Sequence, residues 1–266
     1  MKTCTVHGIK LATVDQGRGV PLVLVHGFPL DHTMWSGQID ALAEDCRVIA
    51  PDLRGFGASD GTEGTVTMAQ FADDLAGLLD ALEIGEPVVL CGLSMGGYVA
   101  FEFWRRHGSR LKALVLCDTR AASDSPDAAA GRLKTAETVM AEGPSSLVEA
   151  MLPKLFAETT RKRHPELIDS VRKVMLSTDP RAVAAAARGM VERADATAML
   201  AKIACPTLVV VGRHDVISPP DEMRAIQAAI PEARLVEIDG AGHMSPLENP
   251  VEFNAAIRDF LIGLRA

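Results

Sequence analysis

The chain has 266 residues, 48% apolar and 23% charged, with 27 Lys and Arg against 35 Asp and Glu, a net charge of −8. This composition excludes a disordered or low-complexity chain, and the acidic balance excludes a protein that seeks nucleic acid through its phosphates. Cys4, Cys46, Cys91, Cys117 and Cys205 form an odd set without a C-x-x-C pair, which argues for reduced thiols rather than a disulfide frame or a zinc site.

The opening residues, Met1 to Thr5, lack the apolar stretch of a secretory signal, and no apolar run approaches the ~18 residues of a membrane span. A cytoplasmic protein is therefore expected. Thr3–Val6 and Lys10–Asp15 read as a hairpin turning at His7-Gly8. Pro21–Val25 is an unbroken apolar run ending at His26-Gly27, the pattern of a strand buried on both faces of a parallel sheet. Arg47–Ala50, Pro87–Cys91, Ala113–Cys117 and Thr207–Val211 repeat it, and Leu235–Ile238 is the expected last strand.

Helical patterns lie between these runs. Thr67 with Gln70 three residues later signals a helix start, and Met68, Phe71, Leu75, Leu78, Leu79 and Leu82 recur at helical spacing. Further helices are expected after Ser94, after Pro220 and from Val251 onward. Residues 121–201 break the alternation. They are alanine-rich and strandless, with Asp179-Pro180-Arg181 opening a helix across Ala182–Met190. The expected architecture is α/β, with a mostly parallel central sheet and helices on both faces. Its core spans 1–120 and 202–266, and 121–201 is inserted as a helical cap.

Gly92-Leu93-Ser94-Met95-Gly96 stands between a predicted strand and a predicted helix. In that setting G-x-S-x-G presents a serine nucleophile over the sheet; the competing reading is a glycine-rich turn whose serine caps a helix. A nucleophilic serine needs a base, and the base needs a group to hold its tautomer. Gly240-Ala241-Gly242-His243 supplies a histidine in a loop after the last strand. Asp215, after Thr207–Val211, lies between serine and histidine in chain order. Asp118 also ends a strand and is the competing acid, or a cap where the chain enters the insertion. His7, His32, His107 and His164 have no metal-ligand spacing, so no metal site is expected.

These pieces together resemble the α/β-hydrolase family over essentially the whole chain. The matching segments are His26-Gly27-Phe28-Pro29, Asp52 to Asp60 (DLRGFGASD), Gly92–Gly96, Gly212–Asp215 and Gly242-His243. Ser94-Met95-Gly96-Gly97 and Phe28 to Trp35 are similar to the arylesterase, perhydrolase and cofactor-free haloperoxidase branch. Residues 175–220 are more similar to 3-oxoadipate enol-lactone hydrolases. Some family members take their acid from the Asp118 position, but the usual form favours Asp215.

The resemblance implies a carboxylic ester hydrolase that works through an acyl-enzyme on Ser94. His243 is the base, Asp215 its partner, and the backbone N–H groups of Phe28 and Met95 form the oxyanion hole. It implies no cofactor and a small-molecule ester or lactone substrate; no nucleic acid and no membrane are expected as partners, and a homo-oligomer stays open. Leu30, Trp35, Met140 and Phe156 are candidates for the apolar pocket wall. The insertion's Arg132, Arg161, Arg163, Arg172 and Arg188 could pair with an enol-lactone carboxylate or form a solvated face. Enol-lactone hydrolysis, perhydrolysis or halide oxidation, and ligand binding with little turnover are the alternatives.

Overall fold

Unbroken apolar runs become strands because both faces of the central sheet are covered by helices. A computed structural model describes residues 1–61 and 63–264. Its eight strands are β1 (Lys2–Val6), β2 (Ile9–Gly17), β3 (Pro21–Val25), β4 (Arg47–Pro51), β5 (Val88–Leu93), β6 (Leu111–Cys117), β7 (Thr207–Gly212) and β8 (Arg234–Ile238). They lie in the order β1-β2-β4-β3-β5-β6-β7-β8. The β1/β2 and β2/β4 pairs are antiparallel; every later pair is parallel.

The two-residue period of each strand sorts its side chains between two cores. Val23 and Val25 of β3, with Leu90 of β5 and Leu114 and Leu116 of β6, face one core. The helices there are α2 (Met68–Ala81), α3 (Met95–His107) and α9 (Pro220–Ala229). Phe71, Leu75, Leu78 and Leu79 of α2 and Phe103 of α3 fill it. Leu22, Leu24, Val89, Cys91 and Val115 face the opposite core, closed by α1 (Ser36–Leu42) and α11 (Pro250–Gly263). The Thr67 signal marks the start of α2: its hydroxyl accepts the Gln70 amide at 3.1 Å. The helix α1 has no counterpart among the sequence expectations. It is only 7 residues long, too short for apolar periodicity to register, and packing rather than propensity holds it.

Between β6 and β7 the chain forms α4 (Pro126–Glu142), α5 (Ser145–Leu155), α6 (Glu158–Arg163), α7 (Pro165–Ser177) and α8 (Pro180–Val191), and no strand. The Asp179 carboxylate accepts the Arg181 amide at 2.8 Å and opens α8. The two ends of this segment are tied together at its base. The Ala196 amide donates to Ala121 O at 2.8 Å. The buried Arg193 pairs with Asp124 at 2.8 Å and lies 4.2 Å over the Tyr98 ring. After β8 come α10 (Ser245–Glu248) and α11.

Candidate active site

Three strand ends carry the candidate residues: Ser94 follows β5, Asp215 follows β7 and His243 follows β8. β5 turns into α3 at Ser94, which holds φ 54° and ψ −112°, a region that non-glycine residues rarely occupy. Its neighbours allow no bulk. A Cβ on Gly92 would lie 2.2 Å from Gly96 O, and one on Gly96 would lie 2.3 Å from Val25 O. The turn is also held from β6: the Ser94 amide donates to Cys117 O at 2.9 Å, and the Thr119 hydroxyl donates to Ser94 O at 2.7 Å. The Ser94 side chain makes no helix-capping bond, contrary to the cap reading of this serine.

After β7 the chain reverses at Gly212–Asp215, with the Asp215 amide donating to Gly212 O at 3.0 Å. The Asp215 carboxylate is buried; its Oδ1 accepts the Ile217 and Ser218 amides at 2.7 and 3.0 Å. Its Oδ2 lies 2.8 Å from His243 Nδ1. A carboxylate can only accept, so Nδ1 carries the proton and Nε2 is left with a free lone pair. The loop carrying His243 packs onto the end of β7. A Cβ on Gly212 would lie 2.0 Å from Gly242 O, and the His214 amide donates to Ala241 O at 2.8 Å. His214 itself is exposed. Asp118 bonds Gly212 and Ser245 instead of His243.

The loop after β3 lies beside the Ser94 turn: a Cβ on Gly27 would sit 3.5 Å from Ser94 Cβ. Among the described residues neither the Phe28 nor the Met95 amide has an intramolecular acceptor. Two unengaged N–H groups next to a serine, one at a helix N-terminus, suit a developing oxyanion. His26 stiffens this loop. Its Nε2 accepts the Leu53 amide at 3.0 Å, which leaves Nδ1–H to donate to Gly27 O at 3.0 Å. Burial lowers the His26 pKa, in keeping with a neutral ring. The Phe28 ring packs on Ala136, Ala184 and Ala187 of α4 and α8.

The Asp52–Asp60 segment is scaffold. Arg54 makes a two-pronged pair with Asp74 at 2.7 and 2.6 Å. Buried Asp52 accepts the His32 amide at 2.8 Å, His32 Nδ1 at 2.7 Å and the Ala58 amide at 2.9 Å. The Asp52 contact raises the His32 pKa. The stabilisation from charged His32 is therefore fully present below its unfolded pKa of about 6.5 and is lost as pH rises through the raised folded value. Thermal midpoints measured from pH 5 to 9 should show this decline in wild type and lack it in His32→Gln. Parallel curves would remove the claim.

Glu248 ties the inserted segment to the histidine loop. Its carboxylate accepts the Ala157 amide at 2.8 Å, the Thr160 hydroxyl at 2.6 Å and the Gly242 amide at 2.8 Å. The Met244 amide adds a bond to Leu155 O at 3.1 Å. Glu248→Ala would strand several donors, and we expect it to lower stability by about 2–4 kcal/mol in urea unfolding. An unchanged midpoint would show that solvent replaces the carboxylate.

The four pocket candidates are dispersed. Leu30 lines a cleft of about 320 Å³ with Met34, Val171, Val174 and Leu247. Trp35 is wholly buried, its ring 6.0 Å from Phe253, so it serves as core rather than as an open wall. Phe156 is buried with Leu152 and Leu155. Met140 is 50% exposed on α4. Sequence could not distinguish these fates, because an apolar side chain serves core, cleft or surface equally well in one dimension.

A sequence model of the alpha/beta hydrolase fold matches residues 20–250. The chain belongs to the α/β-hydrolase family. Its architecture is similar to that of a thermophilic esterase from Thermogutta terrifontis, with a TM-score of 0.97 and 49% identity over 100% of this chain and 99% of that one. A 3-oxoadipate enol-lactonase from Acinetobacter baylyi is 30% identical over 92% of this chain and 89% of its own. A bromoperoxidase from Bacillus anthracis has a TM-score of 0.87 and 26% identity, covering 98% of this chain and 99% of its own. Among the described residues no helix of this hydrolase-family chain is long and apolar enough to cross a membrane.

Proposed function

We propose that the protein hydrolyses small carboxylic esters through an acyl-enzyme on Ser94. The observation that carries this reading is the His243 Nδ1 to Asp215 Oδ2 contact of 2.8 Å, in a chain whose Gly92–Gly96 serine sits on a strained strand-to-helix turn. In this reading His243 Nε2 takes the Ser94 proton as Oγ attacks the acyl carbonyl. The C–O bond to the alcohol then breaks as His243 returns that proton to the leaving oxygen. Asp215 stabilises the transient imidazolium, and the Phe28 and Met95 amides hold the oxyanion. Water, deprotonated by His243, releases the acid and restores Ser94.

The esterase among the similar structures supports an ester over a lactone as the substrate class. So do the inserted arginines. Arg132 pairs with Asp124, Arg172 with Glu149, and Arg188 donates to Gly64 O. These three are engaged within the protein, which weakens a role in gripping an enol-lactone carboxylate. The test is turnover of p-nitrophenyl acetate and butyrate beside 3-oxoadipate enol-lactone, and beside acetate with peroxide. A fluorophosphonate probe on the same protein reports the nucleophile by mass spectrometry. We expect ester turnover above the other two and one probe equivalent on Ser94. Faster lactone or peroxide chemistry would replace the substrate class. Labelling without turnover on any substrate would point to a binding protein.

A further inference from the structure

One buried carboxyl stands beside these residues without a part in the mechanism. Asp118 follows β6, is fully buried, and has φ 45°. Its Oδ1 accepts the Gly212 amide at 2.8 Å and its Oδ2 lies 2.5 Å from the Ser245 hydroxyl. One side chain thus joins the end of β6, the end of β7 and the start of α10, two residues after His243. One oxygen of Asp118, one of Asp215 and one ring nitrogen of His243 all lie within 4.8 Å of one another.

Two carboxylates this close, shielded from water, cannot both stay charged. The groups that titrate around Asp118 are Asp215 after β7, His243 after β8, and the Cys117 and Cys91 thiols, which lie 3.7 Å apart on β6 and β5. Among the described residues no lysine or arginine pairs with either carboxyl. Donor count decides which one keeps its charge. Asp215 faces two backbone amides and the His243 Nδ1–H, whereas Asp118 faces one amide and a hydroxyl. Burial, and then the charge of Asp215, push the Asp118 carboxyl well above the usual carboxylate range.

Resting on the reading of Ser94, His243 and Asp215 as a triad, we propose that Asp118 is a positioning residue with a second role held in reserve. While Asp215 is charged, Asp118 is a neutral brace across two strand ends and the start of α10. When Asp215 is removed, Asp118 gives its proton to solvent and its carboxylate becomes the partner of His243. A merely structural carboxyl would not rescue catalysis when Asp215 is lost, and this sets Asp118 apart.

The experiment is a double-mutant cycle on p-nitrophenyl acetate turnover from pH 5 to 9, using wild type, Asp215→Ala, Asp118→Asn and the double variant. Ser94→Ala is the control, and unfolding midpoints are measured throughout. We expect Asp215→Ala to lose roughly 10²-fold in kcat, and the double variant roughly 10⁴-fold, the level of a triad without its acid. Asp118→Asn alone should lose only several-fold, so that its effect depends on whether Asp215 is present. The residual activity of Asp215→Ala should show one ionisation beyond that of His243, and this extra dependence should be missing from the double variant. If Asp215→Ala is too unstable, Asp215→Ser retains an acceptor for the Ile217 amide and repeats the comparison. Equal loss in the single Asp215 variant and the double variant, both folded, would overturn the reserve role and leave the triad reading intact. Turnover surviving in Ser94→Ala would remove the triad reading itself, and this proposal with it.

Discussion

Ser94→Ala is expected to lower kcat on p-nitrophenyl acetate by on the order of 10⁴–10⁶, the range seen when a serine nucleophile is removed from a hydrolase. The loss should be chemical and not structural. The Ser94 hydroxyl makes no helix-capping bond, and the strained φ of 54° belongs to the backbone whichever of the two side chains is present. The bonds that hold the turn, from the Ser94 amide to Cys117 O and from the Thr119 hydroxyl to Ser94 O, both use main-chain atoms of Ser94. The unfolding midpoint of the variant should therefore stay within a few degrees of wild type. The residual rate comes from the oxyanion donors and substrate binding alone. A variant retaining more than a tenth of wild-type turnover would refute Ser94 as nucleophile.

Gly96→Ala should damage both stability and rate although it touches no titratable group. The added methyl would meet Val25 O at 2.3 Å and His26 O at 3.0 Å, both backbone atoms that cannot rotate away. Either α3 shifts from the sheet or the loop after β3 is displaced. Overpacking of this kind costs about 1–3 kcal/mol or more. The displaced loop carries Phe28, one of the two proposed oxyanion donors. A displacement near 1 Å at such a donor costs about 10²-fold in turnover. The expected signature is a fall in kcat with a smaller change in KM, and a lowered midpoint in urea. Wild-type values for both would mean that the helix end yields freely, and that the glycine is not required by packing.

Much of the architecture was legible in the chain because strand burial leaves a local mark. Pro21–Val25 and Thr207–Val211 are apolar without a break, and both are strands flanked on two sides by core. The serine turn was legible for the same reason: its glycines, strand and helix all lie within twenty residues. The supports of the site were not. Glu248 bonds residues 91 and 88 positions away in the chain, and Asp52 holds His32 across 20. The segment around Glu248, Pro246-Leu247-Glu248-Asn249-Pro250, gives no local sign of such a partner. Residues 36–42 likewise carry too short a pattern to declare the helix that they form.

Sequence by itself determined the element types, the family and a short set of chemical candidates, because apolar period, turn glycines and motif order are properties of neighbouring residues. It left two acids, Asp118 and Asp215, both at strand ends and both plausible by position. Motif form favoured Asp215, and only the tertiary structure shows which of the two carboxyls meets His243. The parallel order β6-β7-β8 sets the two carboxyls side by side, and the turn after β7 aims Asp215 at His243 Nδ1 while Asp118 is taken up by Gly212 and Ser245. That choice depends on hydrogen-bond direction across strands far apart in the chain, which no linear spacing encodes.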